Sequence, residues 1–330
     1  MNQPETDKLA DDILLFLRNP IGQVVSLNLL STTFKVSAPQ IRAALRQLEN
    51  WGYGVTVTAT DACLTATPYV LTETEISYNL DTEFIGKRIM AYNRVGSTND
   101  LAAERANEGA VDGTVIIAEE QTKGRGRLGR SWHSSPASGA YISIILRPSF
   151  TPDKAPGVSL LTALVLVECL QSYCSKGVQI KWPNDVYIEG KKVAGILTEL
   201  SAEGAGIHHL VVGVGININN VLSDFPPEIS GTATSVRIAC GRVINRVGLV
   251  QRFLERFESE YIAFCRDGLI CCIDRLRRYS YLSGRQVKLS SGNRIIEGTA
   301  IDIDANGALI VERNGKTIAI TCGEVTVIKD

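Results

Sequence analysis

Short apolar strands joined by tight turns outnumber helical segments in the middle and at the end of this chain. AYISIILR (140–147) and HHLVVGVGININ (208–219) are typical of buried strands, and the turn in IEGKK (188–192) separates two further strands as a hairpin does. One apolar run between them, VSLLTALVLVECL (158–170), is predicted to be a buried helix. Strands linked mostly by hairpins predict an α+β fold with a mixed or antiparallel sheet.

The sequence pattern changes twice along the 330 residues, which predicts three domains. Residues 1–66 contain amphipathic helical segments followed by the alternating VTVTATDACLTA, the order of a winged helix-turn-helix domain; a purely structural three-helix module is the alternative. Residues 67–280, which begin with a linker, form the central α+β domain. Residues 281–330 consist of short strands with two Asn-Gly turns, which predicts a small SH3-like β-barrel.

Charge and cysteine content restrict the class of protein and its compartment. The 34 basic and 35 acidic residues give a net charge of −1, which argues against a protein that coats nucleic acid or membranes through bulk charge. The eight cysteines form no CxxC pair, as expected of reduced thiols, and the acidic N-terminal stretch does not resemble a secretory signal. The longest apolar run is too short to span a bilayer. We therefore expect a soluble, cytoplasmic protein with no membrane partner.

Several common site chemistries have no signature in the sequence. His133, His208 and His209 lack ligand spacing with cysteine, so we expect no structural metal. Neither the P-loop motif nor a strand-bound G-x-G-x-x-G is present, which disfavours the common nucleotide-binding folds. Nucleophilic serine or cysteine catalysis lacks a partnered histidine. The chemistry that remains is electrostatic positioning of substrates.

The stretch KGRGRLGRSW (123–132) places four cations among three glycines and ends on Trp132. Glycine gives the backbone freedom and exposes amide donors, and arginine supplies a permanent charge and a planar fork for anionic oxygens. This composition predicts a loop that wraps a phosphate-containing ligand. A solvated basic turn is the alternative.

Three further motifs in the central domain each have a structural and a functional interpretation. STND (97–100) lies at a strand-to-helix junction, where helix capping alone explains the Ser and Thr. KWPND (181–185) places a cation and two polar side chains at one sheet edge, which edge-strand protection also explains. GVGIN (213–217) has alternate glycines, which weaken a strand unless a ligand or a close-packed neighbouring element approaches its backbone.

Taken in order, STND, EEQTKGRGRLGRSW, KWPNDVYIEGKKVAGILTEL, VVGVGININ and GTATSV resemble biotin protein ligases over essentially the whole chain. The N-terminal helix-turn-helix pattern and the C-terminal barrel are similar to the bifunctional type, which is also the biotin operon repressor. The resemblance implies a two-step reaction. Biotin and ATP, assisted by Mg²⁺, give biotinyl-5′-AMP and pyrophosphate, and the adenylate then acylates a lysine of a biotin carboxyl carrier protein. It also implies a homodimer.

The resemblance also implies roles for individual residues. Lys181, Arg125 and Arg127 are the expected catalytic cations, and the arginine-glycine loop is expected to be a lid that keeps the adenylate dry. Residues expected at biotin, besides those cations, are Ser97, Thr98, Asn99, Gln121, Gly124, Gly126, Gly213 and Gly215. Trp132, Asn184 and Asn217 are expected on the adenylate side. Asp185 is expected to orient either Lys181 or a magnesium-bound water.

The sequence departs from the family pattern in two places. Leu128 stands where relatives carry another basic residue, which we expect to tune the lid. The predicted wing, TATDACLTA, contains no Lys or Arg, and only Arg42 and Arg46 lie on the predicted recognition helix. We therefore expect DNA binding and repression to be weak. Two other functions remain open: a lipoate-protein ligase, whose usual arginine-glycine-histidine stretch differs from this loop, and a biotin-sensing transcription regulator without ligase activity.

Overall fold

The structure is a computed structural model that describes residues 3–18, 21–67, 70–174, 177–204, 206–291 and 294–328. The chain divides into two compact units, Met1–Tyr69 and Val70–Asp330. The finer division into residues 1–66, 67–280 and 281–330 stays a prediction, and Pro68 and Tyr69 of the predicted linker lie outside the described residues.

The first unit combines three helices with a small antiparallel sheet in the order β1-β3-β2. Helix α3 begins where the sequence predicts, because the amide of Ser37 donates to Oε1 of Gln40 at 2.9 Å and proline occupies the first turn. The apolar face of this helix is buried against α1, as its spacing predicts. The elements are α1 (Gln3–Leu17), β1 (Val24–Ser26), α2 (Leu27–Phe34), α3 (Ala38–Asn50), β2 (Gly54–Val57) and β3 (Asp61–Ala66).

The second unit is built on a seven-stranded mixed sheet in the order β4-β5-β6-β10-β9-β8-β7. Strands β4 and β5 run parallel and every other neighbouring pair is antiparallel, which confirms the predicted α+β fold with a mixed sheet. The strands are β4 (Ile89–Val95), β5 (Val115–Gln121), β6 (Gly139–Leu146), β7 (Val178–Lys181), β8 (Asp185–Ile188), β9 (Lys191–Glu203) and β10 (Gly206–Asn217).

Helices cover both faces of this sheet. Helix α6 is apolar all round because nearly every side chain is buried between the sheet and α9, which confirms the predicted buried helix. Helix α5 packs on the other face, where Ala102 contacts a separate apolar cluster that includes Ile145 and Val211. The helices are α4 (Glu73–Ser77), α5 (Thr98–Asn107), α6 (Ala155–Gln171), α7 (Pro227–Ser230), α8 (Val236–Cys240), α9 (Arg246–Asp267) and α10 (Ile273–Arg278).

The C-terminal strands form an antiparallel five-stranded sheet in the order β14-β13-β12-β11-β15. Both predicted Asn-Gly turns form, with positive φ at Gly307, Asn314 and Gly315. Strands β14 and β15 are the two edges of this sheet, and no pairing joins them within residues 286–291 and 294–328. The sheet is therefore open and the predicted closed barrel is not found. The prediction of a small all-β region at this end of the chain is confirmed. The strands are β11 (Gln286–Ser291), β12 (Arg294–Ile303), β13 (Leu309–Arg313), β14 (Lys316–Ile320) and β15 (Glu324–Val327).

The cysteines and the length of the apolar helices bear on two further expectations. The eight cysteines all lie in the described residues, and none of them forms a disulfide there. Among the helices of the described residues, none has the length and apolar character needed to cross a membrane.

Candidate active site

A cavity of about 240 Å³ lies on the face of the large sheet that also carries α5. Alternation along β10 places Gly213 and Gly215 on the same face as Val211, which packs against α5. The N-terminus of α5, the arginine-glycine loop and β15 complete the walls. The predicted substrate residues that line the cavity are Ser97, Thr98, Asn99, Gln121, Arg125, Gly126, Arg127, Trp132, Lys181, Asn184, Gly213 and Gly215.

One end of the cavity is lined mainly by uncharged hydrogen-bonding groups, and the ion pair of Arg125 with Glu199 borders it, since Nδ2 of Asn99 donates to Oε2 of Glu199 at 2.7 Å. The amide and hydroxyl of Thr98 donate to Oε1 of Gln121 at 2.8 and 3.0 Å. Ser143, buried on β6 opposite Gly213, donates to Oδ1 of Asn99 at 2.6 Å. Sequence analysis missed Ser143, although a single hydroxyl in the apolar strand AYISIILR was a usable signal. This end of the cavity suits a neutral, polar ligand head.

Ser97 both caps α5 and lines the cavity. Its hydroxyl accepts from the amide of Asp100 at 3.4 Å and so caps α5, as helix capping predicts. The same residue lines the cavity. The cap therefore fixes the start of α5 where Thr98 and Asn99 face the cavity.

The two glycines of β10 are required by neighbouring side chains. A Cβ atom on Gly213 would lie 2.0 Å from Oδ1 of Asn99, and one on Gly215 would lie 2.5 Å from Cε2 of Trp132. A Cβ atom on Gly195 of β9 would likewise lie only 2.9 Å from the Trp132 indole. The structure thus supports the interpretation that close-packed neighbours explain these glycines. The Trp132 indole packs against Gly195 of β9 and Gly215 of β10. The indole Nε1 is buried without a hydrogen-bond partner in the structure.

Backbone hydrogen bonds give the arginine-glycine loop a defined shape. The amide of Trp132 donates to the carbonyl of Gly124 at 2.8 Å, and the amide of Gly126 donates to the carbonyl of Arg130 at 2.7 Å. A Cβ atom on Gly124 would lie 2.5 Å from the Trp132 carbonyl oxygen, so this position excludes larger residues. Leu128 occupies the left-handed region (φ 54°) at the tip and is 74 % exposed. The loop is an ordered hairpin whose tip faces solvent.

Three arginines attach this loop to the rest of the unit. Arg125 pairs with Asp100 at 2.7 Å and with Glu199 at 2.8 Å. Partial burial acts to lower the pKa of its guanidinium, but the hydrogen bonds and charges of Glu199 and Asp100 outweigh this effect and raise the pKa.

The other two arginines reach toward β7–β8 and the C-terminal sheet. Arg127 donates to Oδ1 of Asn184 at 3.2 Å and to the carbonyl of Gly323 at 3.4 Å, and Arg130 pairs with Glu324 at 2.7 Å. The loop is therefore held from both sides of the cavity.

Two lysines line the cavity, and sequence analysis found only one of them. Lys181 donates to the hydroxyl of Tyr187 at 3.2 Å. Lys192 lies 2.7 Å from Oδ1 of Asp185 and 5.4 Å from the Trp132 ring centroid. Asp185 thus pairs with Lys192, which neither of its two predicted roles included. The turn in IEGKK was a usable signal for Lys192, because it folds β9 back along β8. The signal was incomplete, because a bulge after Val186 determines which residues of the two strands lie opposite each other.

Several predicted residues lie elsewhere. Asn217 is buried outside the cavity, where its Nδ2 donates to the carbonyl of Thr234 at 3.1 Å, and Gly124 lies behind Trp132. In the first unit, the guanidinium of Arg42 donates to the carbonyls of Thr58 and Ala59 at 3.1 and 2.6 Å. Arg42 therefore supports the β2–β3 turn, and Arg46 is exposed.

The described residues offer few carboxylates to a metal ion. The described part of the chain contains no group of three or more His, Cys, Asp or Glu side chains placed to hold a metal ion. The cavity-lining carboxylates Asp185 and Glu324 pair with Lys192 and Arg130. A cation in this cavity would have to bring most of its oxygen ligands with it.

Comparison with known proteins identifies the class defined by this fold and cavity. The profile of the Biotin/lipoate A/B protein ligase family matches residues 91–217, and that of the Biotin protein ligase C terminal domain matches residues 282–327. The chain belongs to the biotin protein ligase family.

Individual relatives agree with this assignment. The bifunctional ligase/repressor BirA of Bacillus subtilis (strain 168) is 34% identical over 93% of this chain and 94% of its own length. The biotin--[acetyl-CoA-carboxylase] ligase of Mycobacterium tuberculosis is 32% identical over 72% of this chain and 87% of its own length. A solved biotin protein ligase from Aquifex aeolicus, in complex with biotin and ATP, superimposes with a TM-score of 0.65 at 31% identity, covering 74% of this chain and 100% of that one.

Proposed function

We propose that this protein is an ATP-dependent ligase that converts biotin to biotinyl-5′-AMP and transfers the biotinyl group to a lysine of a biotin carboxyl carrier protein. The observation that carries the proposal is the polarity of one cavity. Uncharged groups of Thr98, Asn99 and Gln121 line one end, where Ser143 bonds to Asn99 from behind and Glu199 neutralises Arg125. Lys181, Lys192 and Arg127 approach the other end. Biotin has the same polarity, with a neutral ureido ring at one end and a carboxylate at the other.

The cations serve the first step. A carboxylate oxygen of biotin attacks the α-phosphorus of ATP, the bond to the bridging oxygen breaks, and pyrophosphate leaves. Two anions must approach each other, so positive charge fixed beside the reacting atoms lowers the barrier. Lys192, oriented by Asp185, and Lys181, oriented by the neutral hydroxyl of Tyr187, are the residues we assign to this task. Trp132 offers the flat surface for the adenylate.

The second step needs a protected intermediate. The amine of the acceptor lysine attacks the carbonyl carbon of the mixed anhydride, AMP leaves, and the nitrogen loses a proton. Water would destroy the anhydride, so the arginine-glycine loop, anchored by Arg125, Arg127 and Arg130, is assigned the role of a lid. Mg²⁺ would enter with the triphosphate and neutralise part of its charge. Asp185, which lines the cavity, is the carboxylate that would hold that ion or its waters.

A partial reaction distinguishes the proposal from its main alternative. Purified protein is incubated with ATP and either biotin or lipoate, and pyrophosphate release is measured. We expect release with biotin only. Release with lipoate but not biotin would instead identify a lipoate ligase. A protein that binds biotin but releases no pyrophosphate would be a sensor without ligase activity.

The N-terminal unit supports a second proposal. We propose that it is a winged helix-turn-helix domain that binds DNA weakly, or only as a homodimer loaded with the adenylate. Relatives named bifunctional ligase/repressor cover this part of the chain. Few cations are available to DNA phosphates, because the guanidinium of Arg42 is engaged by the carbonyls of the β2–β3 turn. We also assign the open C-terminal sheet to the SH3-like class, and cysteines without disulfides favour a reducing compartment such as the cytoplasm.

A further inference from the structure

Four side chains form a continuous row of contacts from the cavity wall to the protein surface. Lys181 Nζ lies 5.2 Å from the centroid of the Tyr187 ring. The rings of Tyr187 and Tyr281 have centroids 5.2 Å apart and are tilted by 37°. The guanidinium carbon of Arg285 lies 4.3 Å from the centroid of Tyr281. We call these four residues the cation–tyrosine row.

The backbone holds this row in place. In the β7–β8 hairpin, Lys181 lies opposite Asp185 and Gln179 lies opposite Tyr187. Since opposite and alternate residues share a sheet face, Tyr187 projects from the same face as the cavity-lining Lys181 and Asp185. The segment that carries Tyr281 is bonded to the β7 edge, because its amide donates to the carbonyl of Ile180 at 2.8 Å. The row therefore begins at the cavity on β7 and β8 and continues outward on the segment that precedes β11.

Both ends of the row carry positive charge that the protein does not neutralise. Across the described ranges, neither Lys181 nor Arg285 forms an ion pair, whereas the neighbouring Lys192 pairs with Asp185. Burial raises the pKa of Tyr187 to about 12, so the hydroxyl next to Lys181 is a neutral phenol. Stacking on an aromatic ring orders a cation and leaves its outer side available to a partner.

The reaction requires a macromolecule at the cavity mouth. A lysine side chain reaches only about 6 Å from its backbone, so the acceptor protein must rest against the cavity mouth during transfer. Cations inside the cavity oppose the approach of an ammonium group, and acidic side chains beside the acceptor lysine would offset that repulsion at a basic rim. Tyrosine and arginine are also the residues enriched at protein interfaces.

We infer that the outer end of the cation–tyrosine row, formed by Tyr281 and Arg285, is the docking surface for the acceptor protein and that it binds acidic side chains flanking the acceptor lysine. The inference rests on the proposed ligase function. It assigns Arg285 and Tyr281 to recognition of the acceptor protein, with no part in forming the adenylate.

The test uses charge reversal at the outer end of the row. Arg285→Glu in the full-length protein is compared with Arg88→Glu, an exposed arginine just before β4, at the opposite edge of the sheet. The probe is the purified carrier domain of an acetyl-CoA carboxylase, with biotin and ATP saturating. For Arg285→Glu we expect KM for the carrier to rise about tenfold and to respond less to added salt. Pyrophosphate release and biotinyl transfer to hydroxylamine should match those of the wild type, and Arg88→Glu should leave all three measurements unchanged.

A double-mutant cycle gives a second test. Carrier acidic residues next to the acceptor lysine are changed to the corresponding amides, and their effect on KM should largely disappear in Arg285→Glu. Tyr281→Leu should raise KM in the same direction with normal pyrophosphate release. An unchanged carrier KM, or an equal change in Arg88→Glu, would overturn the inference. A higher KM for ATP in Arg285→Glu would also overturn it and would assign the row to the triphosphate. Failure of the wild type to release pyrophosphate with biotin is a different result, which contradicts the proposed function itself.

Discussion

The ammonium group of Lys192 lies 2.7 Å from Oδ1 of Asp185 and 5.4 Å from the centroid of the Trp132 ring. The three residues come from β9, from β8 and from the end of the arginine-glycine loop. One cation thus links the sheet to the loop at the charged end of the cavity. Lys181 approaches the same end but bonds to a neutral hydroxyl. Lys192 is thus paired with a carboxylate and Lys181 with a neutral group, so mutation of each lysine can separate their roles.

Lys192→Ala should suppress adenylate formation with little effect on folding. The change removes a cation beside the reacting anions and no core volume, and the loss of one such contact raises the barrier by about 3 kcal/mol, or roughly a hundredfold in rate. Pyrophosphate release measures the effect, and circular dichroism checks the fold. Lys191→Ala, at the exposed neighbouring position, is the matched control. A near-normal rate of pyrophosphate release in Lys192→Ala would show that Lys192 does not act in adenylate formation. Lys181→Ala would then be expected to show the reduced rate.

Gly124→Ser should release the adenylate early. A Cβ atom at this position would lie 2.5 Å from the Trp132 carbonyl oxygen, so the loop must shift. Gly126→Ser is the control in the same loop, since its Cβ atom would meet nothing closer than 3.5 Å. We expect Gly124→Ser to form the adenylate, lose it faster and label exposed lysines unselectively. An adenylate half-life equal to that of Gly126→Ser would count against the lid.

Tyr187→Phe should reduce the alkaline sensitivity of the fold. Burial raises the pKa of the Tyr187 hydroxyl from 10 to about 12. Because the folded state holds this proton more tightly than the unfolded chain, its contribution to stability is complete below pH ~10 and is lost as the pH rises toward ~12. Urea unfolding across that interval should show a shallower decline of the free energy of unfolding in Tyr187→Phe than in wild type. Parallel declines would show that the phenol is not perturbed.

DNA binding by the N-terminal unit should depend on Arg46 more than on Arg42. Arg42 donates to two carbonyls of the β2–β3 turn, whereas Arg46 is exposed on the same helix. In Arg46→Ala, the slope of log binding constant against log salt concentration should fall by the equivalent of about one phosphate contact. Arg42→Ala should chiefly lower the stability of the unit. Retention of a promoter fragment at physiological salt should be small for the protein alone and larger with biotin and ATP. Tight binding without ligands would contradict the charge argument.

Features with a strict local period could be predicted from the sequence. The buried face of α3, the apolar helix α6 and the Asn-Gly turns follow directly from residue spacing and backbone preference. The arginine-glycine loop and most cavity residues were found through their motifs.

What could not be predicted depended on register and on pairing between distant segments. Lys192 reaches the cavity through a bulge after Val186, and Asn217 is drawn away by the carbonyl of Thr234. The partners of Arg42, Arg125 and Arg130 lie between 16 and 194 residues away along the chain. Such contacts are set by tertiary packing, which leaves no periodic trace in the sequence.

The central claim is tested most directly by intact-mass spectrometry of a carboxylase carrier domain after incubation with the purified protein, ATP and biotin. The account predicts a single biotinyl addition on one lysine of the carrier, dependent on both ATP and biotin and accompanied by one equivalent of pyrophosphate. An unmodified carrier, or a lipoyl addition when lipoate replaces biotin, would contradict the assignment of this cavity to biotin.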